Sequence, residues 1–111
     1  MTDKIVVLCA CGSPEEAVRI ARALVEARLA ACVNRVPGAK SVYRWNGQVE
    51  EAEETLLLIK SSRNLFAALC GELSRLHSYD VPEIVALPVV HGSEGYLGWL
   101  SASLKPEAGA E

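Results

Sequence analysis

The chain has no basic surplus. Eleven Lys and Arg stand against 14 Asp and Glu, a formal charge of −3. Phosphate neutralisation supplies most of a nucleic-acid binder's affinity, so that class is excluded. The same balance argues against a membrane-surface role. Long apolar runs are missing too. Nothing approaches the roughly 20 residues that cross a bilayer, and Ile5-Val6-Val7-Leu8 is too short for a signal-peptide core. The expected location is therefore cytoplasmic, where four cysteines are reduced thiols rather than a disulfide framework. Repeats, low-complexity tracts and linkers are absent. Aromatics are sparse at 5%, yet 50% of the 111 residues are hydrophobic, which excludes intrinsic disorder. That length is one domain, residues 1–111, with roughly two-thirds of its surface buried on folding. The residues from 105 to 111, ending Pro106-Glu107-Ala108-Gly109-Ala110-Glu111, read as a loose tail.

Ile5 to Cys11 is almost wholly apolar, the pattern of a central strand buried on both faces. Ser13-Pro14-Glu15-Glu16 opens a helix: an N-cap, a proline at the first position and a capping-box glutamate. The helix is expected to run to about Arg28, with Ala17, Ile20, Ala21 and Leu24 on its buried stripe. Ala30 to Asn34 begins a second extended segment, which Pro37-Gly38 breaks. Ser41 to Trp45 alternates as a strand. Asn46-Gly47 signals a type I′ hairpin turn with both residues at positive φ, and Gln48 to Lys60 returns as a long strand. Ser61 or Ser62 caps a second helix carrying Leu65, Leu69, Leu73 and Leu76. His77 to Pro82 is a loop, and Glu83 to Val90 the last main strand, where Pro88 implies an edge or a bulge. Ser93-Glu94 opens a short final helix with Tyr96, Trp99 and Leu100.

The order is β-α-β-β-α-β plus a terminal helix. It predicts an α+β, ferredoxin-like sandwich: an antiparallel sheet with helices on one face. Two helices cover one side of four strands, while Ile5 to Cys11 and Leu56 to Ile59 make the other side apolar as well. That bare face and the long hairpin predict a homo-oligomer.

The sequence contains no C-x-x-C, H-x-x-x-H, G-x-S-x-G, P-loop or dinucleotide fingerprint, so no enzyme is expected. Cys9 and Cys11, two apart on a strand, point to one face. They are either packing residues or, with His77 from the neighbouring loop, a thiolate–imidazole site for a soft or borderline ion such as copper or zinc. Cys32 and Cys70 read as small core hydrophobes. Glu50, Glu51, Glu53 and Glu54 are expected to form a solvated or edge-protecting face, or acidic partners of Arg44 or of a neighbouring subunit. Tyr79-Asp80-Val81-Pro82-Glu83 is either a pocket wall or a structural turn.

Five segments in order resemble the CutA divalent-cation tolerance family. They are Leu29-Ala30-Ala31-Cys32-Val33-Asn34, Ser41 to Gly47, Glu54 to Lys60, His77-Ser78-Tyr79-Asp80-Val81-Pro82-Glu83 and Tyr96-Leu97-Gly98-Trp99. The resemblance implies a cytoplasmic, PII-like homotrimer associated with tolerance to copper and other divalent cations. It implies Cys9 and His77 as metal ligands. Ser78 replaces the proline usual after that histidine, and Leu76 stands where some members carry a second one. Cys11 is a candidate substitute ligand by spacing. The alternative is a PII-like small-molecule sensor, its ligand in an inter-subunit cleft lined by Trp45, Lys60, Tyr79 and Glu83.

Overall fold

The structure, a computed structural model, describes residues 1–106. Strand β1 (Lys4–Cys11) leads into helix α1 (Pro14–Glu26). Strands β2 (Cys32–Trp45) and β3 (Gln48–Ser62) form a hairpin, and a 3-10 turn, Arg63–Leu65, leads into α2 (Phe66–Leu76). Strand β4 (Val85–Pro88) and helix α3 (Glu94–Ser103) complete the order. The four strands form one antiparallel sheet in the order β2-β3-β1-β4. This is the ferredoxin-like topology that the element order predicts.

Register explains the layering. Val7 faces Ile59 and Cys9 faces Leu57 across β1 and β3. These four side chains are buried with Ile20 and Leu24 of α1 and Leu69 and Leu73 of α2. The intervening residues stand on the opposite face. There Val6, Leu8, Leu56 and Leu58 are half-buried, and Val36, Val85 and Leu87 are exposed. Among the described residues, no helix layer covers them.

Four details differ from the expectations. Pro37-Gly38 does not break the second strand. It is a bulge inside one continuous β2, with Val36 opposite Leu56 and Ala39 opposite Glu54, and Gly38 supplies the positive φ of 79°. Helix α1 stops at Glu26, because Arg28 turns left-handed at φ 59°. Ser61 and Ser62 do not cap α2: β3 runs through both, and Ser62 makes no side-chain cap bond to the 3-10 turn. Strand β4 is only Val85–Pro88, paired with Ile5 to Leu8; Val89 still bonds the backbone of Lys4 and Thr2 but in irregular geometry, and beyond Leu8 the edge of β1 has no strand partner. Pro88 lies on an edge strand, where its missing N–H costs no ladder bond.

The Asn46-Gly47 turn has φ of 50° and 77°, the type I′ geometry. Beyond the bulge the hairpin leaves the core, and the molecule is 47 Å long against 26 and 24 Å in the other directions. Val42, Tyr43, Trp45 and Val49 are exposed along this arm. Of the tail expected from residue 105 onward, Lys105 is held by a backbone bond to the Arg28 carbonyl. Residues 107–111 lie outside the described residues.

Candidate metal centre

The β1–α1 corner and the loop after α2 meet at the end of the sheet. Strand β4 pairs with β1 only as far as Leu8, so the edge of β1 beyond it has no strand partner. His77, at the C-terminus of α2, takes that place. Its Nε2 lies 2.8 Å from the Ala10 carbonyl, and its Nδ1 accepts the Tyr79 N–H at 3.1 Å. A carbonyl only accepts and a backbone amide only donates. The two bonds therefore define a neutral ring protonated at Nε2.

Beside the imidazole lie both β1 thiols. Cys9, Cys11 and His77 are buried, and one donor atom from each lies within 4.8 Å of the others. The Cys9 thiol is held far above the ordinary thiol range. Its hydrogen bond to Cys11 comes first, then burial, then the charges of Cys11, Glu83 and Glu16. The same hydrogen bond draws Cys11 down, against burial and against the Glu16 and Glu54 carboxylates.

Glu16 anchors the corner. Its N–H donates to Ser13, so the N-cap forms as expected. The carboxylate does not close the capping box on Ser13; it accepts from Gly12 N–H at 3.2 Å and from Ser78 N–H at 2.7 Å. It lies 4.0 Å from His77 Nδ1. Burial pushes its pKa up, but the bonds from Ser78 and Gly12 outweigh that and hold it low. Tyr79 closes the corner from outside. Its ring lies over His77 at 4.7 Å, and its hydroxyl donates to Glu54 at 2.8 Å. Gly12 admits it, since a Cβ there would stand 3.0 Å from the Tyr79 hydroxyl oxygen.

The structure thus brings Cys9, Cys11 and His77 together. It does not gather Trp45, Lys60, Tyr79 and Glu83 within one chain. Trp45 sits beside the hairpin turn, about 40 Å along the strands from Lys60. Lys60 reaches across the open sheet face to hydrogen-bond Asn34. Glu83 is exposed on the loop before β4. Cys32 and Cys70 are half-buried rather than core residues. Cys32 stands opposite Lys60 on the face away from α1 and α2, and Cys70 lies off the buried Leu69–Leu73 stripe. Glu50, Glu51 and Glu53 are exposed, and Glu53 pairs with Lys40 at 3.6 Å. Arg44 stands opposite Val49 and has no ion pair among the described residues. Sequence reasoning misses the role of Glu54, which is buried against Tyr79. Its signal is position: it is the last acid before the apolar half of β3. Glu16 reads from sequence only as a cap.

The family model described as CutA1 divalent ion tolerance protein matches residues 5–103. The chain belongs to the CutA1 family. It is 55% identical over 95 residues to the divalent-cation tolerance protein CutA of Thermus thermophilus, covering 86% of this chain and 92% of that protein. The solved Cut A1 structure from Thermus thermophilus superposes with a TM-score of 0.90 at 51% identity, covering 92% of this chain and 99% of that one. CutA1 from Oryza sativa gives 0.90 at 43% identity, covering 92% and 94%. CutA1 relatives thus share the α+β architecture, the four-stranded antiparallel sheet included. No helix among the described residues is long and apolar enough to cross a membrane.

Proposed function

We propose that this CutA1-family chain binds a soft metal ion, copper foremost, between Cys9, Cys11 and His77, as a binding protein and not an enzyme. The observation that carries the reading is the convergence of two thiols and one imidazole within 4.8 Å in a buried corner. Two sulfurs and one nitrogen suit Cu(I), which prefers soft donors. The anionic neighbours Glu16, Glu54 and Glu83 favour a cation there. The donor set fits such an ion on one condition. Both His77 ring nitrogens are engaged, so coordination must replace either the Ala10 or the Tyr79 hydrogen bond. Binding must also displace thiol protons, so it weakens as pH falls. A reducing compartment, the cytoplasm, keeps the pair as thiols.

The assembly we propose is a PII-like homotrimer closing over the open face of the sheet. Val6, Leu8, Leu56, Leu58, Val85 and Leu87 give that face its apolar character. Each Å² of apolar surface removed from water contributes about 25 cal/mol. The small-molecule sensor alternative needs residues of different subunits, because one chain separates Trp45 and Lys60 from Tyr79.

The test is a Cu(I) titration under reducing conditions against a chromophoric chelator, with wild type, Cys9→Ser, Cys11→Ser and His77→Ala. The expected result is one ion per chain, with each cysteine variant weakened at least about ten-fold and His77→Ala weakened less. Four proteins binding alike, or none above background, removes the assignment.

A further inference from the structure

A second pocket lies at the far end of the sheet from the thiols. It encloses about 360 Å³ between the start of β1, the end of β3 and the last turn of α3. Lys4 and Ser62 are a cross-strand pair, so their side chains stand on the same face of the sheet. Both line this pocket, and both are more than nine-tenths buried: Lys4 is 6% exposed and Ser62 4%. A lysine is rarely so buried. Its ammonium has a partner, Asp3 Oδ1 at 2.7 Å, but that carboxylate sits at the rim with two-thirds of its side chain in solvent. The Ser62 hydroxyl has no hydrogen-bond partner among the described residues, and it does not cap the turn that follows it. No buried side-chain nitrogen or oxygen among the described residues lacks a partner, so the Ser62 hydroxyl opens onto the pocket's solvent and is free to donate to a ligand there, beside a buried ammonium.

The rest of the wall is of matching chemistry. Asn64, Ser101 and Lys105 contribute an amide, a hydroxyl and a second ammonium. No carboxylate among the described residues pairs with Lys105. Arg63, close enough for its charge to act on Asp3, adds to the positive field. Against these cations the pocket itself presents one carboxylate, Asp3. Leu65 and Leu104, both buried, form an apolar floor. Convergent donors with surplus positive charge over an apolar floor are the features of a small-anion site.

We propose that this pocket binds a small oxyanion, a phosphate or a carboxylate, with Lys4 and Ser62 as its central donors. Lys4 exchanges its rim partner Asp3 for the ligand or shares itself between the two. Ser62 donates the hydrogen bond it lacks, and Lys105 closes over the charge. The site is separate from the thiol corner and does not depend on the metal reading.

The experiment titrates the assembled protein with sodium phosphate and, separately, with sodium succinate at constant ionic strength. Sodium chloride is the control, and the amide resonances of Lys4, Ser62 and Asn64 are followed. Saturable shifts at these amides are expected with phosphate, succinate or both, and the arm that saturates identifies the source. Lys4→Met and Ser62→Ala should each weaken binding at least about five-fold, and Cys9→Ser should leave it unchanged. Ser62→Ala removes one hydroxyl and keeps the backbone, so it serves if Lys4→Met folds poorly. Non-saturating shifts, equal shifts with chloride, or binding unaltered in both variants overturn the proposal.

Discussion

Glu16 shows how one residue can have two duties that compete in its protonation. Burial alone favours the neutral acid, yet the Gly12 and Ser78 amides require the carboxylate. The bonds win, so the folded pKa lies below the ordinary value of 4.5. A depressed acid contributes stability that is present above its unfolded pKa. That stability is lost as pH falls from there through the folded pKa. Wild type should therefore lose stability progressively below about pH 4.5. In Glu16→Gln the amide nitrogen cannot accept, so one of the two N–H groups loses its partner. The variant should be less stable at neutral pH by about 2 kcal/mol, and the gap to wild type should narrow as acid protonates Glu16. Denaturant melts of both proteins at pH 7 and pH 3 check this, and a gap that widens in acid refutes the assignment.

The elements follow local chemistry where local chemistry suffices. Ser13-Pro14 and Asn46-Gly47 specify their own backbone, and both form as expected. Gly47, at φ 77°, has nothing within 4 Å of where a Cβ would stand. Gly47→Val is therefore strained by its backbone alone, by about 1–2 kcal/mol, with no clash to blur the result. Its melting temperature should fall, and the fall should appear in assembly if the arm reaches a neighbouring subunit. Pro37-Gly38 is ambiguous in sequence because the same two residues serve a chain break and a bulge. Only the continued pairing of β2 with β3 decides between them. Strand β4 is shorter than its sequence pattern because His77, not a strand, takes the edge of β1 beyond Leu8, and the pairing turns irregular at Val89, both non-local facts. The candidate site is half legible for the same reason. Spacing puts Cys9 and Cys11 on one face, and the loop puts His77 nearby. The locking of both ring nitrogens depends on a carbonyl 67 residues away and an amide two residues on. No local pattern carries that. Glu54 is hidden among exposed acids because the boundary between solvent and core falls between Glu53 and Glu54.

At the scale of the whole molecule, one observation remains out of balance. A long two-stranded arm with exposed Val42, Tyr43, Trp45 and Val49 projects from a sheet whose second face, beyond the end that α3 covers, is apolar and open at Val6, Leu8, Leu56, Leu58, Val85 and Leu87. Isolated two-stranded hairpins are marginal in water, and an exposed apolar face of this kind marks an interface. A substitution on that face separates a folded monomer from an assembly. Leu87 is 50% exposed in the single chain. A surface change of this sort ordinarily moves stability by no more than about 0.5 kcal/mol, so Leu87→Asp should be nearly silent in a monomer. In a trimer closed over the face, each subunit would bury an unpaired carboxylate, a cost of several kcal/mol per site. The variant should therefore sediment as a smaller species than wild type at micromolar concentration. Its melting temperature should become dependent on protein concentration, as mass action requires of a weakened assembly. Sedimentation velocity of both proteins across a hundred-fold dilution series tests this. A wild type that sediments as a folded monomer throughout, or a Leu87→Asp protein indistinguishable from a trimeric wild type, shows that the open face is not where the subunits meet.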